Sequence, residues 1–265
     1  RWVMNEVVFV FAGALVGFCV GLTGVGGGSL MTPLLLMLGI SPQMAIGTDL
    51  LYASITKAGG AMVHQKKRNI NWRVVLILAS GSIPMAFATV LALKYWFNGA
   101  NEYKSVLTAA LGFMLLLTGL SLLFKRKLQA FHDARGGNSK LRLTLDQKSV
   151  PFTFFMGVML GVLVTLSSVG AGAFGVMILL ALYPRFATIE IIGTDVAHAV
   201  LLTLVAGLGH LTMGNVDLHL LSLLLIGSLP AIYIGTHLSS RMPEKVIQPL
   251  LGCTLMALSM KFILA

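Results

Sequence analysis

Charge is what this 265-residue sequence has least of: 11% of its residues are Asp, Glu, Lys or Arg, only nine of them acidic, against 57% hydrophobic. Soluble domains carry about 25% charged residues, so this composition, with a mean hydropathy of +0.89, excludes a water-exposed globule. Cysteine is nearly absent as well. Cys19 and Cys253 both lie in apolar runs, which argues against a disulfide framework and a cysteine-based metal site and leaves them as packing residues. The signatures H-E-x-x-H and G-x-S-x-G do not occur, and no Cys/His cluster stands at metal spacing. No cofactor and no enzyme activity are therefore expected. The first apolar run has no basic stretch before it and no small-residue cleavage site after it, so it reads as a span rather than a signal peptide.

What the sequence has is apolar runs. A bilayer span takes roughly 20 apolar residues. Runs near 3–23, 29–40, 44–64, 73–97 and 104–124 are followed by a second set near 150–167, 173–183, 188–211, 218–238 and 245–264. The polar stretch between the sets divides the chain into a first transmembrane repeat (1–124), a linker loop (125–149) and a second transmembrane repeat (150–265).

The two sets repeat each other position by position. At an offset of 144, Gly13, Gly17, Val25, Gly26 and Gly28 fall on Gly157, Gly161, Val169, Gly170 and Gly172. After a two-residue insertion the offset becomes 146. Ile46-Gly47-Thr48-Asp49 then meets Ile192-Gly193-Thr194-Asp195, His64 meets His210, Asn69 meets Asn215, and Gly81-Ser82 with Pro84 meets Gly227-Ser228 with Pro230. One register held over that span is an internal duplication.

Basic residues orient the repeats, because Lys and Arg in short loops concentrate on the cytoplasmic side. Lys66, Lys67, Arg68 and Arg73 place the loop after the third run inside; Lys125, Arg126, Lys127, Arg135, Lys140, Arg142 and Lys148 do the same for the linker. The matching loop of the second repeat, His210 to His219, has no Lys or Arg and contains Asp217, so it belongs outside. With Arg185, Arg241 and Lys245 in inner connections, 14 of the 19 basic residues face the cytoplasm and the halves insert upside down to each other. The run Lys66-Lys67-Arg68 next to a span signals topology and contact with anionic lipid rather than nucleic acid.

Runs 29–40 and 173–183 are too short to cross at about 1.5 Å per residue. Each reads as the short arm of a hairpin that turns on a glycine cluster, Gly24-Val25-Gly26-Gly27-Gly28-Ser29 or Gly170-Ala171-Gly172-Ala173-Phe174-Gly175. The second cluster also satisfies G-x-G-x-x-G, with Asp195 a further 20 residues on. That dinucleotide fingerprint requires a strand before it and a soluble βαβ unit around it, and both flanks here are membrane-length apolar runs. Irregular backbone at bilayer depth persists only where protein or water satisfies it. Broken helices at matching places in two inverted halves point to a transport site whose helix N-termini face an anion. Close helix packing is the plainer role for such glycines, and it suits Gly13, Gly17 and Gly21.

Ile-Gly-Thr-Asp opens a spanning run in each repeat. Thr48 or Asp49, and Thr194 or Asp195, fit an N-cap role. They equally fit a buried functional role, since an ionised group near the bilayer centre costs about 2.5–3.5 kcal/mol. Lys57 stands eight positions after Asp49, on nearly the same helical face, and its repeat partner is Thr203. It can neutralise an anion, snorkel or pair with Asp49. His198, three after Asp195, matches Tyr52; an Asp195/His198 pair can carry a proton.

A glycine-rich first helix end, Gly47-Thr48 opening the third run, His64 some fifteen residues later, Asn69-Ile70-Asn71-Trp72 and Gly81-x-x-Pro84 together resemble the sulfite exporter TauE/SafE family, also called toluenesulfonate uptake permeases. The resemblance covers nearly the whole chain. It implies a multi-pass inner-membrane secondary transporter for sulfur-containing anions, sulfite or organosulfonates, that is ion-coupled. The chain departs from the family pattern at Asp49 and Asp195, where members often carry a small hydroxyl residue, and at Leu218, where the first repeat has Trp72.

The reading is thus an all-α integral membrane protein of two inverted-topology repeats, each with a glycine-turn helical hairpin and three spanning helices. Its expected anion site comprises Gly26, Gly27, Gly28, Ser29, Thr48, Lys57, Ser167, Ser168, Gly170, Ala171, Gly172 and Thr194. Asp49, Asp195 and His198 are expected to couple a proton or sodium ion, or to shape the site. A passive anion channel and, less well supported, an intramembrane enzyme are the alternatives.

Overall fold

The computed structural model describes residues 2–23, 28–97, 102–134, 149–170, 172–238 and 244–264. Among them the regular structure is all helical: α1 (Trp2–Thr23), α2 (Gly28–Met37), α3 (Pro42–Lys66), α4 (Trp72–Tyr95), α5 (Lys104–Ala134), α6 (Ser149–Ser167), α7 (Ala173–Leu182), α8 (Thr188–Thr212), α9 (Leu218–Leu238) and α10 (Glu244–Leu264). Five of these, α4, α5, α6, α8 and α9, contain stretches long and apolar enough to cross a membrane. The ten-residue helices α2 and α7 reach only about 15 Å, half of a roughly 30 Å hydrocarbon core.

One boundary and one expected role differ from the sequence reading. Helix α5 runs to Ala134, ten residues into the stretch expected as a loop. Lys125 to Ala134 lacks Pro and Gly, so nothing in it breaks a helix already propagating. The remainder of the linker, 135–148, lies outside the described residues. Helices α3 and α8 begin at Pro42 and Thr188, after Ser41 and Ala187 in extended conformation. Asp49 and Asp195 are therefore each the eighth residue of a helix, two turns past its start, and the N-cap role for Thr48, Asp49, Thr194 and Asp195 is overturned.

Glycine sets the closest helix pairs, α1 along α9 and α4 along α6. A Cβ on Gly17 would lie 2.6 Å from the Ser228 carbonyl oxygen, and one on Gly161 would overlap that of Ser82. Such backbone-to-backbone approach leaves no room for any side chain. Helices α3 and α8 pack on each other, and α5 packs on α10. The apolar core of α3, α4, α6, α7 and α8 includes Leu50, Leu78, Leu160, Leu179 and Leu202; a second cluster joins α1, α2, α3 and α9 through Val16, Met31, Tyr52 and Leu224.

Candidate functional site

The loops between α3 and α4 and between α8 and α9 fold back onto the other half of the chain. The Asn71 amide donates to Thr194 Oγ1 at 2.9 Å, and the Asp217 amide donates to Thr48 Oγ1 at 3.1 Å. Asn71 and Asp217 also cap the helices that follow, accepting from the Val74 and Leu220 amides. Gly47 and Gly193 admit these loops: a Cβ on either would overlap the carbonyl oxygen of Asn215 or Asn69. Thr194 donates in turn to the Glu190 carbonyl. The hydroxyls of Thr48 and Thr194, expected to meet substrate, are thus engaged in fastening loops.

Further along α3 and α8 the helices enclose a polar cluster in the apolar interior. Asp49 and His198 are wholly buried, Asp195 is 1% and Lys57 8% exposed. The Lys57 ammonium interacts electrostatically with Asp195 and, less strongly, with Asp49, and its charge reaches His198. Asp49 Oδ2 accepts a 2.5 Å hydrogen bond from Thr32 Oγ1 on α2, and Ser168 stands beside the same carboxylate. Asp195 rests on the first turn of α7, where a Cβ on Gly175 would overlap its Oδ1. His198 Nε2 bonds Ser82 Oγ at 2.8 Å. Tyr52 lies beside Ser228 and Asp49.

This cluster has unused hydrogen-bonding capacity. Among the described residues, Asp49 Oδ1, the Tyr52 hydroxyl, Ser168 Oγ, His198 Nδ1 and Ser228 Oγ are buried without a hydrogen bond of good geometry; Ser168 adjoins the Asp49 carboxylate and Ser228 adjoins the Tyr52 hydroxyl. A poorly satisfied buried polar group costs free energy, so several of them in one cluster with an ammonium ion fit a place for a polar guest rather than a packed core. An open cavity of about 450 Å³ beside the α2–α3 turn, lined by Ser41, Pro42, Lys104 and Phe262, does not include any of these residues.

The glycine turns meet the cluster from the side. Gly170 (φ 110°) and Gly172 (φ 150°) take backbone conformations open mainly to glycine, which lets the chain reverse between α6 and α7. Ser168 holds φ 59° without being glycine, a conformation that is uncommon for such residues and recurs at functional sites. Ser167 Oγ donates to the Leu163 carbonyl and accepts from the Val169 amide, so it closes the end of α6. Gly28 and Ser29 open α2. Gly26, Gly27 and Ala171 lie outside the described residues.

Of the residues singled out in the sequence, the structure brings together Lys57, Asp49, Asp195, His198 and Ser168. It adds Thr32, Tyr52, Ser82 and Ser228. Three of these were within reach of the repeat alignment, which places Tyr52 opposite His198 and Ser82 opposite Ser228. Nothing in the sequence marks Thr32. His210 is engaged as a segment-end histidine would be: its Nε2 donates to the Thr165 carbonyl at 3.0 Å, and its Nδ1 accepts from Asn215 at 3.4 Å.

A helical, largely apolar protein that encloses one ammonium, two carboxylates and poorly satisfied hydroxyls has the makeup of a membrane transport protein, since buried charge in such a setting marks a solute path. The chain belongs to the sulfite exporter TauE/SafE family, whose profile matches residues 9–262. It is 36% identical over 258 residues to the probable membrane transporter protein YjnA of Bacillus subtilis (strain 168), covering 97% of this chain and 100% of that protein. To the probable membrane transporter protein YunE of the same organism it is 25% identical, over 95% of this chain and 97% of that one. A probable membrane transporter protein of Xylella fastidiosa (strain 9a5c) is 26% identical, over 90% and 87%. No solved structure matches it. The protein is a multi-pass membrane transporter, not an enzyme.

Proposed function

We propose that this protein carries a small sulfur-containing anion, sulfite or an organosulfonate, across the inner membrane by alternating access of two inverted halves, coupled to an ion. The observation that carries the reading is Lys57, among the described residues a single buried ammonium, in a cluster with poorly satisfied buried hydroxyls. A guest with several acceptor oxygens and one negative charge satisfies both features: the oxygens accept from Tyr52, Ser168, Ser228 and His198, and the charge pairs with Lys57. The family's description as sulfite exporters supports sulfur oxyanions as the substrate class.

The paired contacts support the two inverted halves. Adding 144 to the α1 position and subtracting 146 from the α9 position turns Gly17 against Ser228 into Gly161 against Ser82. Thr48 with Asp217 becomes Thr194 with Asn71 under the second offset. A two-fold relation in the membrane plane generates such exchanged pairs, and rocking one half against the other then opens a central site to alternate faces. Basic-residue counts put the linker and the α3–α4 loop in the cytoplasm.

Binding and flux test this directly. Detergent-purified protein is screened by thermal shift against sulfite, sulfate, thiosulfate and methanesulfonate, and the binders are then followed into proteoliposomes. Uphill accumulation driven by a pH or sodium gradient supports the carrier. Strictly downhill flux that ignores both gradients supports a passive anion channel, and no binding of any of the four anions overturns the reading.

A further inference from the structure

The buried charges do not balance. Asp49 and Asp195 carry two negative charges against one positive charge on Lys57 when all are ionised, and none is more than 8% exposed. Adding a monovalent anion takes the cluster from a net charge of minus one to minus two. In a medium of low dielectric constant that step is opposed by Coulomb terms of several kcal/mol, with no solvent to relieve them. A site built to receive an anion therefore has to lose one negative charge as it fills.

Asp195 is placed to lose it. Its carboxylate rests on the first turn of α7, against Gly175, where the positive end of the helix dipole would receive an anion. It also interacts with the Lys57 ammonium. The carboxylate thus occupies the place that a bound anion would take. Asp49 is fastened differently, through the 2.5 Å bond from Thr32. A proton path is at hand: His198, one turn from Asp195 on the same helix face, has its Nε2 on Ser82 and its buried Nδ1 unpartnered.

We infer that Asp195 is the proton acceptor of the transport cycle: its carboxylate and the substrate anion compete for the positive seat formed by Lys57 and the start of α7, so one proton enters with each anion. The inference rests on the anion-carrier reading above. The proton taken from water is held on an Asp195 oxygen while the anion pairs with Lys57, and it leaves when the anion does. Lys57 interacts with Asp195 directly, and the other titratable groups of the cluster are Asp49 and Tyr52 from α3 and His198 from its own helix, which are linked to one another or to Lys57. Helix α7 contributes no titratable side chain, and Arg73, Lys94 and Tyr95 stand at the ends of α4. Sodium is the poorer coupling ion, because the Lys57 ammonium already interacts with both carboxylates and repels a second cation that stays charged.

Methanesulfonate is the probe, since it remains a monoanion at every working pH and any pH dependence of its binding belongs to the protein. With one proton bound per anion, affinity of the purified full chain falls about tenfold per pH unit above the Asp195 titration. An indicator dye in weakly buffered detergent solution then records uptake of about one proton per methanesulfonate bound. Asp195→Asn, a permanent mimic of the protonated acid, binds with no pH slope and takes up no proton. Binding without proton uptake in the native chain overturns the inference but leaves the anion site intact, as does a pH slope kept in Asp195→Asn. No methanesulfonate binding at any pH removes both. The dye measurement needs no variant, so a poorly folding Asp195→Asn protein does not shield the inference.

Discussion

Ser82 on α4 and His198 on α8, 116 positions apart, share a 2.8 Å hydrogen bond between Oγ and Nε2 in a fully buried setting. Their counterparts 146 positions away, Ser228 and Tyr52, lie together as well, but among the described residues neither hydroxyl makes a hydrogen bond of comparable geometry. One side of the cluster is thus closed by a short internal bond and the other is held more loosely. The duplicated scaffold places the two pairs, and the substitution of Tyr for His makes them differ.

That difference makes Tyr52→Phe informative. Removing a buried hydroxyl whose contact with Ser228 falls short of a well-formed hydrogen bond costs little, so the melting temperature of the empty protein should hold or rise. Anion affinity should fall about fivefold to tenfold, the value of one hydrogen bond. Isothermal titration beside a thermal melt separates the two effects, and unchanged affinity would take Tyr52 out of the site.

Lys57→Ala should abolish anion binding and also destabilise the protein by about 3–5 kcal/mol, because it leaves two buried carboxylates uncompensated. Asp195→Asn added to it removes one of those charges, and the double variant should recover much of the lost melting temperature without recovering binding. A double variant no more stable than Lys57→Ala alone would show that the two groups are not coupled.

Thr48→Val and Thr194→Val should behave alike. Each removes the hydroxyl that holds the opposite half's loop, at a cost of about 1 kcal/mol, and neither should change anion affinity more than twofold. Loss of affinity in either variant would return that threonine to the substrate site.

Among the glycines, Gly161→Ala should destabilise by about 1–3 kcal/mol through overpacking at the Ser82 backbone. Gly59→Ala, in the same class of helix interior but with nothing within 4 Å of its Cβ, should stabilise by about 0.5–1 kcal/mol. Thermal melts in one detergent check both signs.

Gly175→Ala forces Asp195 off the start of α7. Binding and its pH dependence should change together while the helices stay intact by circular dichroism; unaltered binding would show that the carboxylate does not need that position.

The register of the duplication was legible in the sequence because the glycines that admit a neighbouring backbone, the loop-fastening threonines and the cluster's Asp pair recur at fixed offsets. The roles within that register were not legible. Thr48 and Asp49 are adjacent and equally polar, yet the helical 100° step turns one toward the Asp217 loop and the other toward Thr32. Nor could spacing reveal Thr32, since its role depends on how α2 docks on α3, and a ten-residue helix with four leucines and two methionines has no periodicity to announce its inner face.

Composition and pattern alone therefore determined that the chain is helical, lies in a membrane, is duplicated and hides one lysine and two aspartates in apolar segments. These follow from local energetics: the cost of charge in hydrocarbon and the need to satisfy backbone groups there. Only the tertiary structure decided which buried groups meet, that Asp195 sits on the start of α7, and that several polar atoms of the Lys57 cluster lack a hydrogen bond of good geometry among the described residues. Those are distances between residues far apart in the chain. Packing of whole helices sets them, and no sequence window contains both members of such a pair.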